Sequence, residues 1–303
     1  MSSLIKKGIK YILNEDYRFL VGAFRGKYNN LADEEYCKRL FKARVGYTPD
    51  FANPQTFNEK LNWLKLNDRK DLYTSMVDKH DVKTIVAEKI GEKHVIQSLG
   101  IWNDFDEIDF ALLPNQFVLK CTHDSGGLVI CKDKNKFDVG KARAKINRSL
   151  KTNYYWANRE WPYKNVKPRI LAEKYVSDGF NTVLPVYKFF NFNNGETILQ
   201  VIHNDKTPEE RIDYFDEKWN PLELHQNFKN SDVIPSKPKK FDMMLRYAKI
   251  LSEGFPFLRT DFYETGDTVL FSEFTFYSDA GFERFYPDSW DLELGKRIIL
   301  PTI

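Results

Sequence analysis

Residues 258–276 read LRTDFYETGDTVLFSEFTF, and the interpretation of the fold starts from this stretch. Two runs rich in aromatic and β-branched residues flank Glu264–Asp267, whose glycine and polar residues are typical of a turn. The pattern therefore predicts two strands joined by a tight connection. Because side chains alternate between the two faces of a strand, Arg259 and Asp261 are expected to share one face of the first strand.

The second strand carries a matching pair, Glu273 and Thr275. If the two strands pair, two carboxylates and a hydroxyl converge beside Arg259. Two carboxylates with phosphate oxygens and water are suitable ligands for Mg²⁺, and an arginine can stabilise charge on a phosphoryl group. The alternative is a surface ion pair between Arg259 and Asp261, which would contribute little. Glu273 lies within an otherwise apolar strand, where a carboxylate needs a partner, and this favours the metal site over the surface ion pair.

A second candidate element is a hairpin with a glycine-containing loop. The strands at residues 117–120 and 128–131 flank the loop Thr122–Gly127, and Lys120 ends the first strand. Glycines allow backbone N–H groups to approach phosphate oxygens, and a lysine supplies a point charge. The loop does not have the GxxxxGK[ST] pattern. Taken alone, the sequence is better explained by a plain hairpin turn.

A third candidate element is Glu173-Lys174-Tyr175-Val176, at the end of a strand predicted over residues 170–176. An adenine needs a backbone donor and acceptor, and a carboxylate can accept a hydrogen bond from its amino group. The end of a strand can supply both. An ordinary edge strand with alternating polar residues is the alternative reading.

Along the chain, the pattern predicts an α+β fold. Residues 1–90 read mainly as helices, with a capping box from Thr56 to Glu59, and strands dominate afterwards. The expected division is a helical N-terminal segment at 1–90, a small lobe with the glycine loop at 91–165, and a larger lobe with an antiparallel sheet at 166–303. The proline-containing stretch 163–168 indicates the second boundary.

Charge and cysteine content narrow the possible partners and compartments. The 303 residues include 46 basic and 43 acidic side chains, a balance that argues against a nucleic-acid partner. Three cysteines without a CxxC motif favour small buried residues in a reducing cytoplasm. No apolar run reaches the length of a transmembrane helix. The basic amphipathic stretch 4–13 suits either a packing helix or a helix at the inner face of a membrane.

These candidate elements occur in an order that resembles the ATP-grasp superfamily, over roughly residues 75–280. More narrowly, the chain resembles the teichuronopeptide-biosynthesis (TupA-like) branch, which is found in surface-polysaccharide loci and often labelled glycosyltransferase. Four features suggest this branch in addition to the elements described above: residues 54–60 (PQTFNEK), Asp78-Lys79, Ser125-Gly126-Gly127 and residues 187–190 (YKFF).

The resemblance implies a fold of two α+β lobes that clasp ATP, and it implies a role for each motif residue. Those roles are phosphate binding by Lys79, Lys120, Ser125, Gly126 and Gly127, adenine binding by Glu173, Lys174, Tyr175 and Val176, ribose binding by Asp178, Mg²⁺ binding by Asp261, Glu273 and Thr275, and catalysis by Arg259 and Lys188. Two departures stand out. Thr275 occupies a position where many ATP-grasp enzymes have asparagine, and no glycine-rich βαβ unit precedes the candidate ATP site.

The implied activity is that of a carboxylate–amine ligase that uses ATP and Mg²⁺ and acts through an acyl-phosphate. Its expected partners are a uronic-acid-containing surface polysaccharide or its precursor, together with an amino acid or amine. The alternative activity is that of a glycosyltransferase, which would need a nucleotide-sugar site. Asp104-Phe105-Asp106 is the nearest match to the D-x-D metal motif of such enzymes.

Overall fold

A computed structural model describes residues 10–178, 184–205, 207–266 and 268–302 of the chain. Helices dominate up to residue 90, and two antiparallel sheets follow, so the predicted α+β class is confirmed. The predicted hairpins, and most of the predicted strands and helices, are present within a few residues of their expected ends.

The larger sheet, in the described part of the chain, has five antiparallel strands in the order β7-β6-β5-β8-β9. Its face with Phe189 and Phe262 is covered by α8, because Phe241 of that helix packs on Phe189. The opposite face carries Asp261. The elements are β5 (Val186–Phe192), β6 (Thr197–His203), β7 (Arg211–Phe215), α8 (Phe241–Ser252), β8 (Phe257–Thr265) and β9 (Thr268–Thr275).

The smaller sheet has the strand order β1-β4-β2-β3. Helix α6 packs on it through Ala142 and Ile146, which are buried with Phe117 and Leu119. The elements are β1 (Ser98–Trp102), β2 (Phe117–Cys121), β3 (Leu128–Cys131), α6 (Val139–Leu150), the short α7 (Tyr155–Asn158) and β4 (Ile170–Lys174). Strand β1 has no counterpart among the predicted strands, and β4 ends two residues earlier than expected.

The N-terminal helices belong to two different cores. Helices α3, α4 and α5 pack on the larger sheet, whereas α1 and α2 form a separate aromatic cluster. The predicted capping box at Thr56 and Glu59 opens α3. These helices are α1 (Glu15–Phe24), α2 (Asp33–Val45), α3 (Phe57–Asn67), α4 (Asp71–Val77) and α5 (Val82–Ile90), and α9 (Ser289–Lys296) packs on α3 near the other end of the chain.

The proposed basic amphipathic helix falls mainly on residues 1–9, outside the described residues; residues 10–13 are helical. None of the helices in the described ranges combines the length and the apolar composition needed to cross a bilayer. Cys37, Cys121 and Cys131 are free and buried, as small apolar residues would be.

The division into segments 1–90, 91–165 and 166–303 stays a prediction. Strand β4 follows residue 165 but pairs with β1 and β2, so a boundary that follows the sheets would lie after Lys174.

Candidate active site

The pairing of β8 with β9 brings the predicted charged residues together. Asp261 lies directly opposite Glu273, and Arg259 lies opposite Thr275. Residues directly opposite in an antiparallel pair point to the same face, so these four side chains share a face of the sheet. The register shifts after Asp261, because Ser272 is an extra residue on β9. Bulges of this kind are common beside functional sites, where they redirect a side chain.

Arg259 is held in a buried position from two sides. Its Nε and Nη2 donate to the two oxygens of Asp261 at 2.8 and 2.9 Å. Its Nη1 donates to Ser278 Oγ at 3.3 Å. Burial alone would lower the pKa of Arg259, but Asp261 outweighs it, so the pKa is raised and the group stays charged. This ion pair is therefore a buried, bidentate pair within one strand, not the surface pair of the alternative reading.

Glu273 is in a different environment from its neighbour Asp261. Its side chain is 47% exposed, and its carboxylate lies 3.6 Å from Arg259 Nη2. Desolvation would raise the pKa of Glu273, but Arg259, Lys79, Lys188 and Lys120 together lower it. A carboxylate that faces the cleft among four cations stays ionised and accessible.

The acidic pair is part of a polar row that crosses the whole larger sheet. Lys188 of β5 lies opposite both Gln200 and Asp261, and Gln200 lies opposite Tyr214. Lys188 Nζ is 3.7 Å from Asp261 Oδ2. Gln200 Nε2 donates to Tyr214 Oη at 2.6 Å. The row is therefore charged at β5, β8 and β9 and neutral at β6 and β7.

The smaller sheet and helix α5 together supply a cluster of two lysines and one carboxylate. Glu173 lies between Lys83 and Lys120, each with its Nζ 2.5 Å from a carboxylate oxygen. Burial opposes the ionisation of Glu173, but the two lysines outweigh it and lower its pKa. Sequence reasoning selected Glu173 and Lys120 but missed Lys83. The one available signal was a lysine on the otherwise apolar first turn of α5.

The glycine loop is organised by Asp124, a residue to which no role was assigned from the sequence. The buried Asp124 carboxylate accepts from Gly127 N at 3.0 Å and from the Ser149 hydroxyl. Lys79 Nζ donates to the Asp124 carbonyl. The aspartate followed by serine and glycine was the signal, because such a side chain commonly bonds to the backbone of its own turn.

At the tip of the loop Ser125 and Gly126 are exposed, whereas Gly127 is buried. Lys79 itself precedes α5, which begins at Val82. The helix starts there because Asp78 Oδ1 accepts from the amides of His80 and Asp81, which closes a turn first.

A narrow cleft joins the two sheets. It is lined by Lys79, Lys83, Lys120 and Glu173 from the smaller-sheet side and by Phe271, Ser272 and Glu273 of β9, with apolar walls from Val82, Val95 and Ile96. Apolar walls beside several lysines suit a nucleotide, because the base needs an apolar surface and the phosphates need cations.

The predicted hinge residues lie at or just beyond the end of β4. Lys174 donates its amide to the Gln97 carbonyl at 3.0 Å, and its side chain is exposed. Tyr175, Val176 and Asp178 follow the strand and are partly buried. Their roles in binding adenine and ribose stay predictions.

The donor set fits Mg²⁺ in part, because Glu273 faces the cleft whereas both oxygens of Asp261 accept from Arg259. Asp261 and Glu273 supply two carboxylates on neighbouring strands, and Thr275 lies one pleat further on the same face. The described residues contain no cluster of three or more His, Cys, Asp or Glu side chains arranged for a metal. A site with two carboxylates suits Mg²⁺, which takes its remaining ligands from phosphate oxygens and water.

The D-x-D candidate has structural contacts instead. Asp104 accepts from the Asp106 amide at 2.9 Å, and Asp106 forms an ion pair with Arg143. Both carboxylates stabilise a turn and its contact with α6, so the one sequence feature that favoured a glycosyltransferase has another explanation.

The cleft, with lysines beside carboxylates on neighbouring strands, agrees with the ATP-grasp class that the sequence motifs resemble. The sequence matches the family described as TupA-like ATPgrasp over residues 59–299, and the chain belongs to that family. The predicted superfamily, branch and fold are thereby confirmed.

Solved structures of other ATP-grasp proteins are distantly similar to the chain. D-alanine–D-alanine ligase from Helicobacter pylori has 14% identity and a TM-score of 0.41, over 81% of this chain and 69% of that one. An L-amino acid ligase from Bacillus licheniformis has 13% identity and a TM-score of 0.40, over 80% and 52%. The ATP-grasp ligase PsnB has 10% identity and a TM-score of 0.37, over 68% and 54%.

The matched part therefore spans only about half the length of PsnB and of the L-amino acid ligase. Among curated proteins, none matches the chain significantly.

Proposed function

We propose that this protein couples a carboxylate of a uronic-acid-containing cell-surface polysaccharide, or of its precursor, to an amino acid or amine. ATP activates the carboxylate as an acyl-phosphate. The observation that carries the proposal is the position of Glu273, which lies opposite Asp261 and shares the cleft with three lysines, Lys79, Lys83 and Lys120.

The charges of the cleft support a site for the triphosphate. Lys120 lies on β2 of the smaller sheet, Lys79 lies just before α5, Lys188 and Arg259 lie on the larger sheet, and all four lower the pKa of Glu273. With ATP in the cleft, these cations would contact the phosphates. Mg²⁺ held by Asp261 and Glu273 would neutralise charge on the β- and γ-phosphate oxygens.

In the proposed reaction, an oxygen of the substrate carboxylate attacks the γ-phosphorus of ATP, and the bond to the bridging oxygen of ADP breaks. Arg259 and Lys188 hold the phosphoryl oxygens in line and stabilise their charge. The amine nitrogen then attacks the acyl carbon, phosphate leaves, and the amine gives up one proton. The loop with Ser125 and Gly126 would cover the phosphates and exclude water from the acyl-phosphate.

The substrate class rests on the family to which the chain belongs and on the resemblance of its motifs to the teichuronopeptide branch. Such a reaction would take place in the cytoplasm, where ATP is available, at the inner face of the membrane. The basic and apolar residues at 4–13 would then contact the lipid surface.

The test uses ATP, Mg²⁺, candidate uronates such as glucuronate, and hydroxylamine, which converts an acyl-phosphate into a stable hydroxamate. The expected result is hydroxamate formed in step with ADP, and no hydroxamate with Arg259→Ala. Replacing hydroxylamine by pooled amino acids should give an amide detectable by mass. UDP-sugars should not raise the melting temperature, whereas Mg-ATP should. Stabilisation by UDP-sugars alone would favour the glycosyltransferase instead.

A further inference from the structure

Helix α3 carries a polar stripe that faces the interior. Asn58, Asn62 and Lys65 follow one another at helical spacing and are at most 1% exposed. A lysine is almost never fully buried unless it is paired, so Lys65 needs an explanation. This stripe overlaps residues 54–60, a motif noted in the sequence for which the proposed reaction gives no role.

The stripe binds the backbone of the turn that follows β9. Lys65 Nζ donates to the Ala280 carbonyl at 2.7 Å and Asn62 Nδ2 to the Gly281 carbonyl at 2.7 Å. Asn58 Nδ2 donates to the Glu283 carbonyl at 2.8 Å. Lys65 also donates to Asn62 Oδ1 at 2.9 Å, so the members of the stripe hold one another in place.

The turn has an unfavourable backbone conformation. Asp279, Ala280 and Gly281 have φ values of 49°, 56° and 70°, in the left-handed region. Glycine and aspartate tolerate this region, but alanine adopts it rarely. Such a conformation persists only when the surroundings impose it. The hydrogen bonds from α3 to the carbonyls of Ala280 and Gly281 are that constraint.

The same turn contacts Arg259. Ser278 Oγ accepts from Arg259 Nη1 at 3.3 Å and lies 3.2 Å from Asp279 Oδ2. Asp279 also accepts from Gln226 Nε2 at 3.3 Å. The turn thus completes the support of the guanidinium, whose other nitrogens are held by Asp261.

We propose that Lys65 is a positioning residue that fixes the turn at 278–281, and through Ser278 the direction of Arg259. It thereby sets the preference of the cleft for ATP over ADP. The inference rests on the proposed function, in which Arg259 contacts the γ-phosphate. Lys65 itself touches no nucleotide, so its effect is expected on γ-phosphate recognition and not on the binding of adenine or of the other phosphates.

The test compares the Kd values of Mg-ATP and Mg-ADP by calorimetry. The wild type should prefer ATP, and Lys65→Met should reduce the ratio at least fivefold while its Kd for ADP stays within twofold. Lys60→Met is the matched control, because Lys60 lies on the same helix and donates to a distant carbonyl, that of Ile298, at 2.8 Å. Its ratio should equal that of the wild type.

Ser278→Ala leaves the α3 stripe intact and removes the contact with Arg259, together with the hydrogen bond from Ser278 to Asp279. It should therefore show the same loss even if Lys65→Met does not fold. A wild-type ratio in folded Lys65→Met or in Ser278→Ala would overturn the inference. Equal affinity of the wild type for ATP and ADP would also overturn the inference, but it would leave the proposed binding of ATP intact. Failure of the wild type to bind either nucleotide would instead contradict the proposed function.

Discussion

Asp261 and Glu273 lie directly opposite each other on β8 and β9, yet their charges are balanced in different ways. Asp261 is 1% exposed and forms a bidentate pair with Arg259. Glu273 is 47% exposed and faces the cleft among lysines from both sheets. One carboxylate is thus neutralised within the sheet, while its neighbour is ionised and accessible to a cation.

This difference predicts losses of stability of very different size for the two variants. Asp261→Asn leaves a buried guanidinium without its partner and should lower the free energy of unfolding by roughly 3–5 kcal/mol. Glu273→Gln should cost less than about 1 kcal/mol, because its contact is loose and screened by solvent. Because the surrounding cations lower the pKa of Glu273, they favour its charged form, and removing that charge should slightly lower the free energy of unfolding. Denaturant unfolding without nucleotide or metal measures the free energies of unfolding of both variants. Equal losses would contradict the different environments assigned to Asp261 and Glu273.

A second prediction concerns Lys120 at the end of β2. Lys120→Met should weaken the binding of Mg-ATP by about 2–4 kcal/mol, because the phosphates lose a cation in a partly desolvated cleft. Glu173 keeps Lys83 as a partner, so the variant should still fold. Lys136→Met is the control, since the Lys136 side chain is 85% exposed on the smaller lobe. Unchanged ATP affinity in folded Lys120→Met would remove this lysine from the site.

The two neighbouring glycines of the loop should respond differently to the same change. At Gly127 a Cβ would lie 2.4 Å from Ser149 Oγ and 2.6 Å from Cys121 Sγ, so Gly127→Ala should cost roughly 1–3 kcal/mol of stability. At Gly126 the nearest atom would be Asp124 Oδ2 at 3.9 Å. Gly126→Ala should therefore keep the melting temperature.

The alanine methyl group at residue 126 should still weaken ATP binding, because it obstructs the approach of the backbone to a phosphate. Calorimetric titration with Mg-ATP beside a thermal melt separates the two effects. Wild-type affinity in Gly126→Ala would show that the tip of the loop does not approach the phosphates.

Glu160 predicts a pH dependence of stability. It is buried, and burial raises its pKa to about 7, although Lys65 and Arg259 act in the opposite direction and Asp279 adds to the rise. The folded pKa lies above the unfolded value, so the protonated acid is favoured by folding. Its contribution is fully present below about pH 4.5 and is lost as the pH rises to about 7.

The loss over this interval should reach at most about 3.5 kcal/mol, since one pKa unit corresponds to about 1.4 kcal/mol. Glu160→Gln cannot ionise, so its stability relative to the wild type should increase between pH 5 and pH 8. Unfolding free energies of both proteins at several pH values measure this difference, and parallel curves would show that Glu160 does not titrate in this range.

Much of the larger-sheet side of the site could be predicted, because Arg259, Asp261 and Glu273 lie on strands joined by a short turn. Local spacing then determines which side chains meet. The pairing of Glu173 with Lys83 could not be read in this way, because it depends on the packing of α5 against β4, some ninety positions later in the sequence. Long-range packing of this kind leaves little trace in local periodicity.

Two further features of the structure could not be predicted from local sequence patterns. The bulge at Ser272 changes the register within β9, whereas alternation in the sequence assumes a regular strand. The polar stripe of α3 resembles an ordinary solvent-facing side of a helix. Only the turn after β9 reveals that Asn62 and Lys65 are buried against carbonyl groups.

The central claim is that Asp261 and Glu273 hold Mg²⁺ against the phosphates of ATP. Its most direct test is calorimetric titration of the wild type and Glu273→Gln with ATP, once with Mg²⁺ and once with EDTA. The wild type should bind ATP at least tenfold more tightly with Mg²⁺, and Glu273→Gln should lose most of that enhancement while binding ATP in EDTA no more weakly than the wild type. An equal Mg²⁺ enhancement in both proteins would contradict the metal site.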